Sequence, residues 1–282
     1  MSQPDTFYHY CNIDVLLSIL RNNELRLSDV EKSNDYAERK WMTGKIEYKF
    51  AEIVSKSKLI EKKDKLINSY SELGKGFFSL MANVYSTCFS TNGDLLSQWR
   101  AYSQDGYGVA IGFNGKILEE VNNDPYGLMF SPVTYSLNQQ DKYATTQAER
   151  IFDLFMRGDN LIHAMSDVLT NDLKKLCTFK NPEFSEEKEW RLCAALLPDI
   201  RIGTKGYHFG PFEISEVKLF SNNRKIVTYF DLNYSKVKNE IINEIVLGPK
   251  CQMSEKDISQ VLRLLDYNTG VIEIRKSKST YQ

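Results

Sequence analysis

The chain contains no apolar run approaching the roughly 20 residues that a membrane-spanning helix needs. Its first residues, Met1-Ser2-Gln3-Pro4-Asp5, lack the basic-then-apolar order of a secretory signal. The expectation is a cytoplasmic protein with no membrane partner. Cysteine and histidine are scarce: Cys11, Cys88, Cys177, Cys193 and Cys251 are scattered, and His9, His163 and His208 lie far apart. An odd number of cysteines with no Cys-x-x-Cys pair argues for free thiols and against a disulfide framework or a zinc site. A surplus of charge is also missing, since 36 Lys and Arg residues meet 37 Asp and Glu residues. Such a balance gives no global attraction to nucleic acid or to an anionic membrane. Finally, there is no Gly-x-Gly-x-x-Gly, no phosphate-binding Gly-x-x-x-x-Gly-Lys loop, no Gly-x-Ser-x-Gly elbow and no His-Glu-x-x-His. Dinucleotide-fold, nucleotide-kinase, serine-hydrolase and zinc-protease readings lose their signatures.

What is present is an alternation of short strand and helix patterns over 282 residues, ordinary in hydrophobic content at 42%. Strands are predicted near 7–10, 84–90, 108–113, 190–197 and 243–247. Helices are predicted over 13–21, 45–70, 95–102 and 254–266, with more helix near 139–177. Residues 201–233 read as two or three strands with turns at Lys205-Gly206 and Asn222-Asn223, and Val271 to Ile274 as an edge strand. The lysine-rich stretch Lys56 to Lys65 is most simply a solvated helix face. No linker, repeat or low-complexity segment interrupts the chain. The pattern predicts one α+β domain over 1–282 with a mixed, mostly antiparallel sheet, split or continuous, flanking helices, and helical insertions near 40–75 and 139–177.

Four polar and aromatic clusters stand out. His9-Tyr10 lies on the first strand, where an imidazole serves either as a ligand contact or as a half-buried side chain with one backbone partner. Asn34-Asp35 is turn chemistry that doubles as a polar loop over a pocket. Ser90 and Thr91 end a strand, and Gln98-Trp99-Arg100-Ala101-Tyr102 follows. Trp99 and Tyr102 share a helix face, either as core or as a stacking wall for a flat ligand. In the last cluster, a strand that begins by 187 sets Glu187, Glu189 and Arg191 on one face. That is either an exposed ion-pair ladder or a carboxylate oriented by an arginine.

Taken together and in order, Tyr8-His9-Tyr10, Asn34-Asp35, Cys88-Phe89-Ser90, Gln98 to Tyr102 with Gly106 to Phe113, Phe179 to Leu192 and Glu244 to Pro249 resemble the bacterial family known as domain of unknown function 2971. That kinship implies no activity. The order His9, Ser90-Thr91, Glu187-Lys188-Glu189 is in addition similar to the His or Arg, Ser or Tyr, and Glu pattern of ADP-ribosyltransferases, which fold as a split α+β sheet around NAD. The first residue is His, as in the poly(ADP-ribose) polymerase branch, whereas Glu187-Lys188-Glu189 looks like the Glu-x-Glu form of the arginine-modifying branch.

This resemblance implies an ADP-ribosyltransferase-like fold, NAD as substrate and no metal. It implies that Glu189 faces the oxocarbenium charge, with Glu187 orienting an acceptor and His9 a ribose hydroxyl. Tyr10, Asn34, Asp35, Ser90, Thr91, Trp99, Arg100, Tyr102 and Arg191 would bind substrate. The activity implied is that of a toxin-like effector in bacterial phage defence, acting on a protein or nucleic-acid target with or without a partner defence protein. An NAD glycohydrolase is the close alternative. A non-catalytic ligand-sensing or protein-interaction domain is the distant one. A nucleic-acid enzyme is disfavoured by the neutral charge. The enzyme readings require His9, Ser90, Trp99, Tyr102 and Glu189 to line one cleft.

Overall fold

Thr6–Cys11, rich in aromatic residues, extends as β1, and the chain then turns into α1 (Ile13–Asn22). The Asn12 side chain accepts from the Val15 backbone N–H, and Asn23 stops the helix in the left-handed region at φ 53°. The structure, a computed structural model, describes residues 4–30, 36–58, 61–81, 83–123, 127–196, 208–222 and 225–281. β2 (Glu24–Asp29) is followed by α2 (Tyr36–Lys56) and α3 (Lys63–Met81). Next come β3 (Asn83–Ser90), α4 (Leu96–Tyr102), β4 (Val109–Asn114), the short α5 (Gly115–Glu119) and β5 (Leu128–Pro132). A helical stretch, α6 (Leu137–Met156), α7 (Leu161–Asn171) and the single turn α8 (Leu173–Leu176), leads through a 3₁₀ turn at Pro182–Glu187 into β6 (Glu189–Leu196). The chain ends with β7 (His208–Phe209), β8 (Phe212–Ile214), β9 (Lys218–Asn222), β10 (Lys225–Asn233), the short α9 (Lys238–Ile241), β11 (Ile242–Leu247), α10 (Glu255–Leu264) and β12 (Glu273–Lys276).

The five predicted strands all join one twelve-stranded sheet in the order β12-β11-β4-β1-β3-β2-β10-β8-β7, with β6 and β5 added beside β3, and β9 beside β10. Among the described residues every strand pair is antiparallel except β11 with β12. The fold is therefore α+β with a mixed, mostly antiparallel sheet. β3 is the branch point. One of its edges is filled from end to end by β6, from Asn83↔Leu196 to Ser90↔Glu189. The other edge is shared: β1 meets it at Tyr8↔Ser90, and β2 meets it at Ser28↔Ser86 and Asp29↔Tyr85. Between these contacts β1 and β2 part, and the sheet forks.

Two cores lie on opposite faces. Phe7 and Cys11 of β1, Tyr85 and Phe89 of β3, and Trp190, Leu192 and Ala194 of β6 point into the main core with α1 and α10. α2, α6 and α7 build a second core from Met42, Ile46, Phe50 and Val54, a run at i, i+4 spacing, against Ala144, Ala148, Ile151 and Val168. Val84 and Ala195 on the reverse face of the sheet meet Leu173 and Cys177 beside α8.

Several expectations need correction. The helix predicted over 45–70 is two helices, the first ending at Lys56 and the second starting at Lys63. The edge strand comes two residues later than predicted and pairs in parallel with β11. The β7–β8 turn is made at Gly210, with φ 58°, while Lys205-Gly206 and Asn223 lie outside the described residues. β6 starts at Glu189, not by 187.

At Gly108 the chain passes so close to β1 that a Cβ would collide with the Cys11 carbonyl oxygen, and the Asn12 Cα would be 3.0 Å away. Backbone cannot yield as a flexible side chain does. Gly108→Ala should therefore destabilise the fold by about 1–3 kcal/mol, read as a lower urea midpoint. An unchanged midpoint would show that this approach is looser than described.

Candidate functional site: a buried charge cluster between the sheet and the helices

Strand alternation decides what the last cluster does. Trp190 and Leu192 enter the main core, so Glu189 and Arg191 face the opposite way, toward the helices. Glu189 is 7% exposed and Arg191 5%. Charges this buried are tolerated only when paired. Arg191 grips Glu189 with two donors, Nε to Oε1 at 2.7 Å and a terminal nitrogen to Oε2 at 3.0 Å. Its remaining terminal nitrogen donates to the Cys177 carbonyl at 2.7 Å. Lys180, 3% exposed, donates to Glu189 Oε2 at 3.2 Å and to Glu187 Oε2 at 2.7 Å. Two cations and two carboxylates thus form one connected group.

The loop carrying Glu187 is shaped by its neighbours. Lys188 takes φ 47°, a left-handed conformation that costs a non-glycine residue energy and persists only when the surroundings enforce it. They do: the Ser90 hydroxyl donates to the Glu187 carbonyl at 2.8 Å, and the Thr91 N–H donates to the Lys188 carbonyl at 3.2 Å. The Glu189 N–H donates to the Tyr135 hydroxyl at 3.2 Å. Lys180 is located by Gln140, fully buried, which donates to the carbonyls of Lys180 at 2.8 Å and Thr134 at 2.9 Å and accepts from the Trp41 indole at 2.8 Å.

The two carboxyls are driven apart. Burial pushes the Glu189 acid up, but the Arg191 guanidinium and then Lys180 outweigh it and hold the pKa at about 2. For Glu187 burial wins over Lys180, and its pKa is raised. Tyr102, 52% exposed, stands near, its phenol pushed up to about 12 by burial and then by the charge of Glu187.

The other expected site residues divide. Ser90, Thr91, Tyr102, Glu187, Glu189 and Arg191 gather at this cluster, Ser90 and Thr91 holding its backbone. His9 does not. Its ring lies 5.9 Å from Phe89 on the main-core side and donates through Nδ1 to the Cys88 carbonyl at 2.9 Å, closing the fork. Burial lowers its pKa. The single cleft uniting His9 with Glu189 is not formed, because alternation sends them to opposite faces of the sheet. Trp99 is no stacking wall: it is fully buried, edge-on to Tyr10 at 4.7 Å, with its indole N–H on Asp94 at 2.8 Å. Tyr10 is buried and holds the 92–95 loop, donating to the Asn92 carbonyl at 2.7 Å and accepting from the Leu95 N–H at 2.9 Å. Arg100 reaches over the Tyr281 ring. Asn34 and Asp35 lie outside the described residues. Sequence reasoning missed Lys180, Gln140 and Tyr135. The only signal for Lys180 was a single cation amid Thr178-Phe179 and Asn181-Pro182.

Among the described residues no group of His, Cys, Asp and Glu is arranged to hold a metal, and no helix is long and apolar enough to cross a membrane. A family model described as protein of unknown function (DUF2971) matches residues 98–192, a segment running from α4 through the charge cluster. No curated protein and no solved structure matches the chain.

The clamp has a cost when it is opened. The ordinary glutamate pKa of 4.5 is depressed in the fold to about 2. The stabilisation it represents is fully present above about pH 4.5 and is lost as the pH falls toward 2. Glu189→Gln leaves Arg191 and Lys180 buried without that carboxylate. It should cost about 3–5 kcal/mol at neutral pH and flatten the acid limb of the stability curve. A melting temperature equal to that of the wild type would show that the cluster is solvated.

Proposed function

We propose that the protein cleaves the bond between nicotinamide and ribose in NAD, and that Glu187 is the group that meets the substrate. The observation carrying this reading is the pair of adjacent carboxyls driven apart in acidity about one shared lysine. Such pairs divide the roles of a permanently charged group and a proton carrier. Glu189, with both oxygens engaged, keeps Lys180 and Arg191 in place. Glu187 is the less enclosed, with 13% of its side chain accessible, and has the raised pKa suited to acid–base work. This reverses the roles expected from the sequence.

In the proposed reaction the C1′–N bond breaks and nicotinamide leaves with the bonding electron pair, as a neutral molecule. Water, or a nucleophile on a protein or nucleic acid, forms the new bond to C1′ and yields its proton to the Glu187 carboxylate. The negative carboxylate stabilises the oxocarbenium charge that develops between these events. Tyr102 would flank the nicotinamide. The forked sheet supports the likeness to ADP-ribosyltransferases, while the position of His9 removes it from the reacting atoms. In a bacterial cell this activity would deplete NAD or modify a target, as a phage-defence toxin does. The second reading, a non-catalytic ligand-sensing or interaction domain, is favoured by the exact cancellation of charge within the cluster.

Nicotinamide release from labelled NAD, with cell extract supplying target and activator, tests the proposal. Glu187→Gln should lower the rate by about 10²–10³ without lowering the melting temperature, whereas His9→Ala should retain most activity. Full activity in Glu187→Gln would overturn the assignment. Binding of NAD with no release in any condition would favour the non-catalytic reading.

A further inference from the structure

At the fork of the sheet, across β3 from the charge cluster, lies a cavity of about 400 Å³ between α1, β2 and the β9–β10 hairpin. Its walls include His9, Arg26, Lys218, Tyr229 and Asp231. That volume is within the range of small-molecule sites, about 300–1,000 Å³. Asp231 is 6% exposed and has both oxygens engaged: Oδ1 accepts from Arg26 Nε at 3.4 Å and Oδ2 from Lys218 Nζ at 2.9 Å. The Arg26 guanidinium is also stacked over the Tyr229 ring, 3.8 Å from its centroid.

These contacts leave a specific remainder. With Nε committed and the plane fixed by Tyr229, the two terminal nitrogens of Arg26 form a fixed fork that has no protein partner among the described residues. A fork of this kind matches the two oxygens of a phosphate or carboxylate. Lys218 has donors to spare beside it. The Tyr229 hydroxyl makes no hydrogen bond among the described residues. Because His9 gives Nδ1–H to the Cys88 carbonyl, its Nε2 is an acceptor, suited to a hydroxyl. Two carboxylates share the wall: Asp231, whose oxygens already accept from Arg26 and Lys218, and Glu24, on the side shared with a neighbouring cavity.

We propose that this fork cavity is a binding site for a small hydroxylated phosphate ester, with the phosphate on Arg26 and Lys218 and a hydroxyl on His9 Nε2. It is separate from the Glu187 centre and does not rest on the NAD reading.

Calorimetric titration of the full chain with ribose 5-phosphate tests it, with ribose and inorganic phosphate as the other arms. Ribose 5-phosphate should bind more tightly than inorganic phosphate, and ribose should not bind measurably. Arg26→Met should weaken binding roughly 10–100-fold. Arg26→Lys, which keeps the charge without the fork, should recover only part of the loss and guards against a variant that misfolds. Glu24→Gln should tighten binding. Equal binding by wild type and Arg26→Lys, or no binding of ribose 5-phosphate at millimolar concentration, would overturn the proposal. Glu187→Gln should bind ribose 5-phosphate as the wild type does, so failure here and failure of NAD cleavage are read separately.

Discussion

The arrangement turns on one carboxylate held by two buried cations. Glu189 joins Arg191 of its own strand to Lys180 of the preceding loop, at the level where the sheet meets the helices. Removing Glu189, Arg191 or Lys180 strands the other two without solvent, so these three are bound to act as a unit, whereas Glu187 is the more accessible member. It also explains why the loop after α8 must return to the start of β6. Lys180 reaches both carboxylates only because the chain reverses through the 3₁₀ turn and the left-handed Lys188. Ser90 and Thr91, at the end of β3, hold that reversal through backbone groups. β3 thereby serves twice: its Phe89 side builds the core, and its Ser90 side fixes the site.

Much of this was legible in the sequence because it follows from alternation. The five strands and the helices after Asn12 and Ser254 carry local signals, a period of two or a capping side chain, that tertiary contacts did not override. Glu189 and Arg191 sharing a face follows from the same period. Two things were not legible. The left-handed turn at Lys188 removes Glu187 from the strand, and no residue type there announces it, since glycine or asparagine would be the usual sign. The partner Lys180 comes from another element, and a lone lysine in sequence is most often solvated.

The separation of His9 from Glu189 has the same origin. An ordered series of residues says which strands carry polar groups but not which face each strand presents. Tyr8, not His9, is aligned with Ser90, and Ser90 in turn with Glu189. A register shift of one residue would have reversed this. His9 instead lies where β1 and β2 part, and its imidazole engages a β3 carbonyl in the gap between them. The fork thus creates a cavity on one side of β3 while β6 builds the charge cluster on the other.

The neutrality of the cluster limits what it can attract. With both carboxyls ionised the four groups sum to zero, so the site has no strong pull on anions and none on cations at long range. Its discrimination must act at contact distance and through Glu187, whose raised pKa marks it as the member that most readily changes charge. A cationic ring placed beside Glu187 would favour the ionised acid and be favoured by it, a reciprocal coupling that a neutral ring would lack. Nicotinamide carries a positive charge while attached to ribose in NAD and loses it on leaving. In the reaction proposed above, the same carboxylate would therefore hold the substrate and release the product, while Glu189 has both oxygens engaged by Arg191 and Lys180.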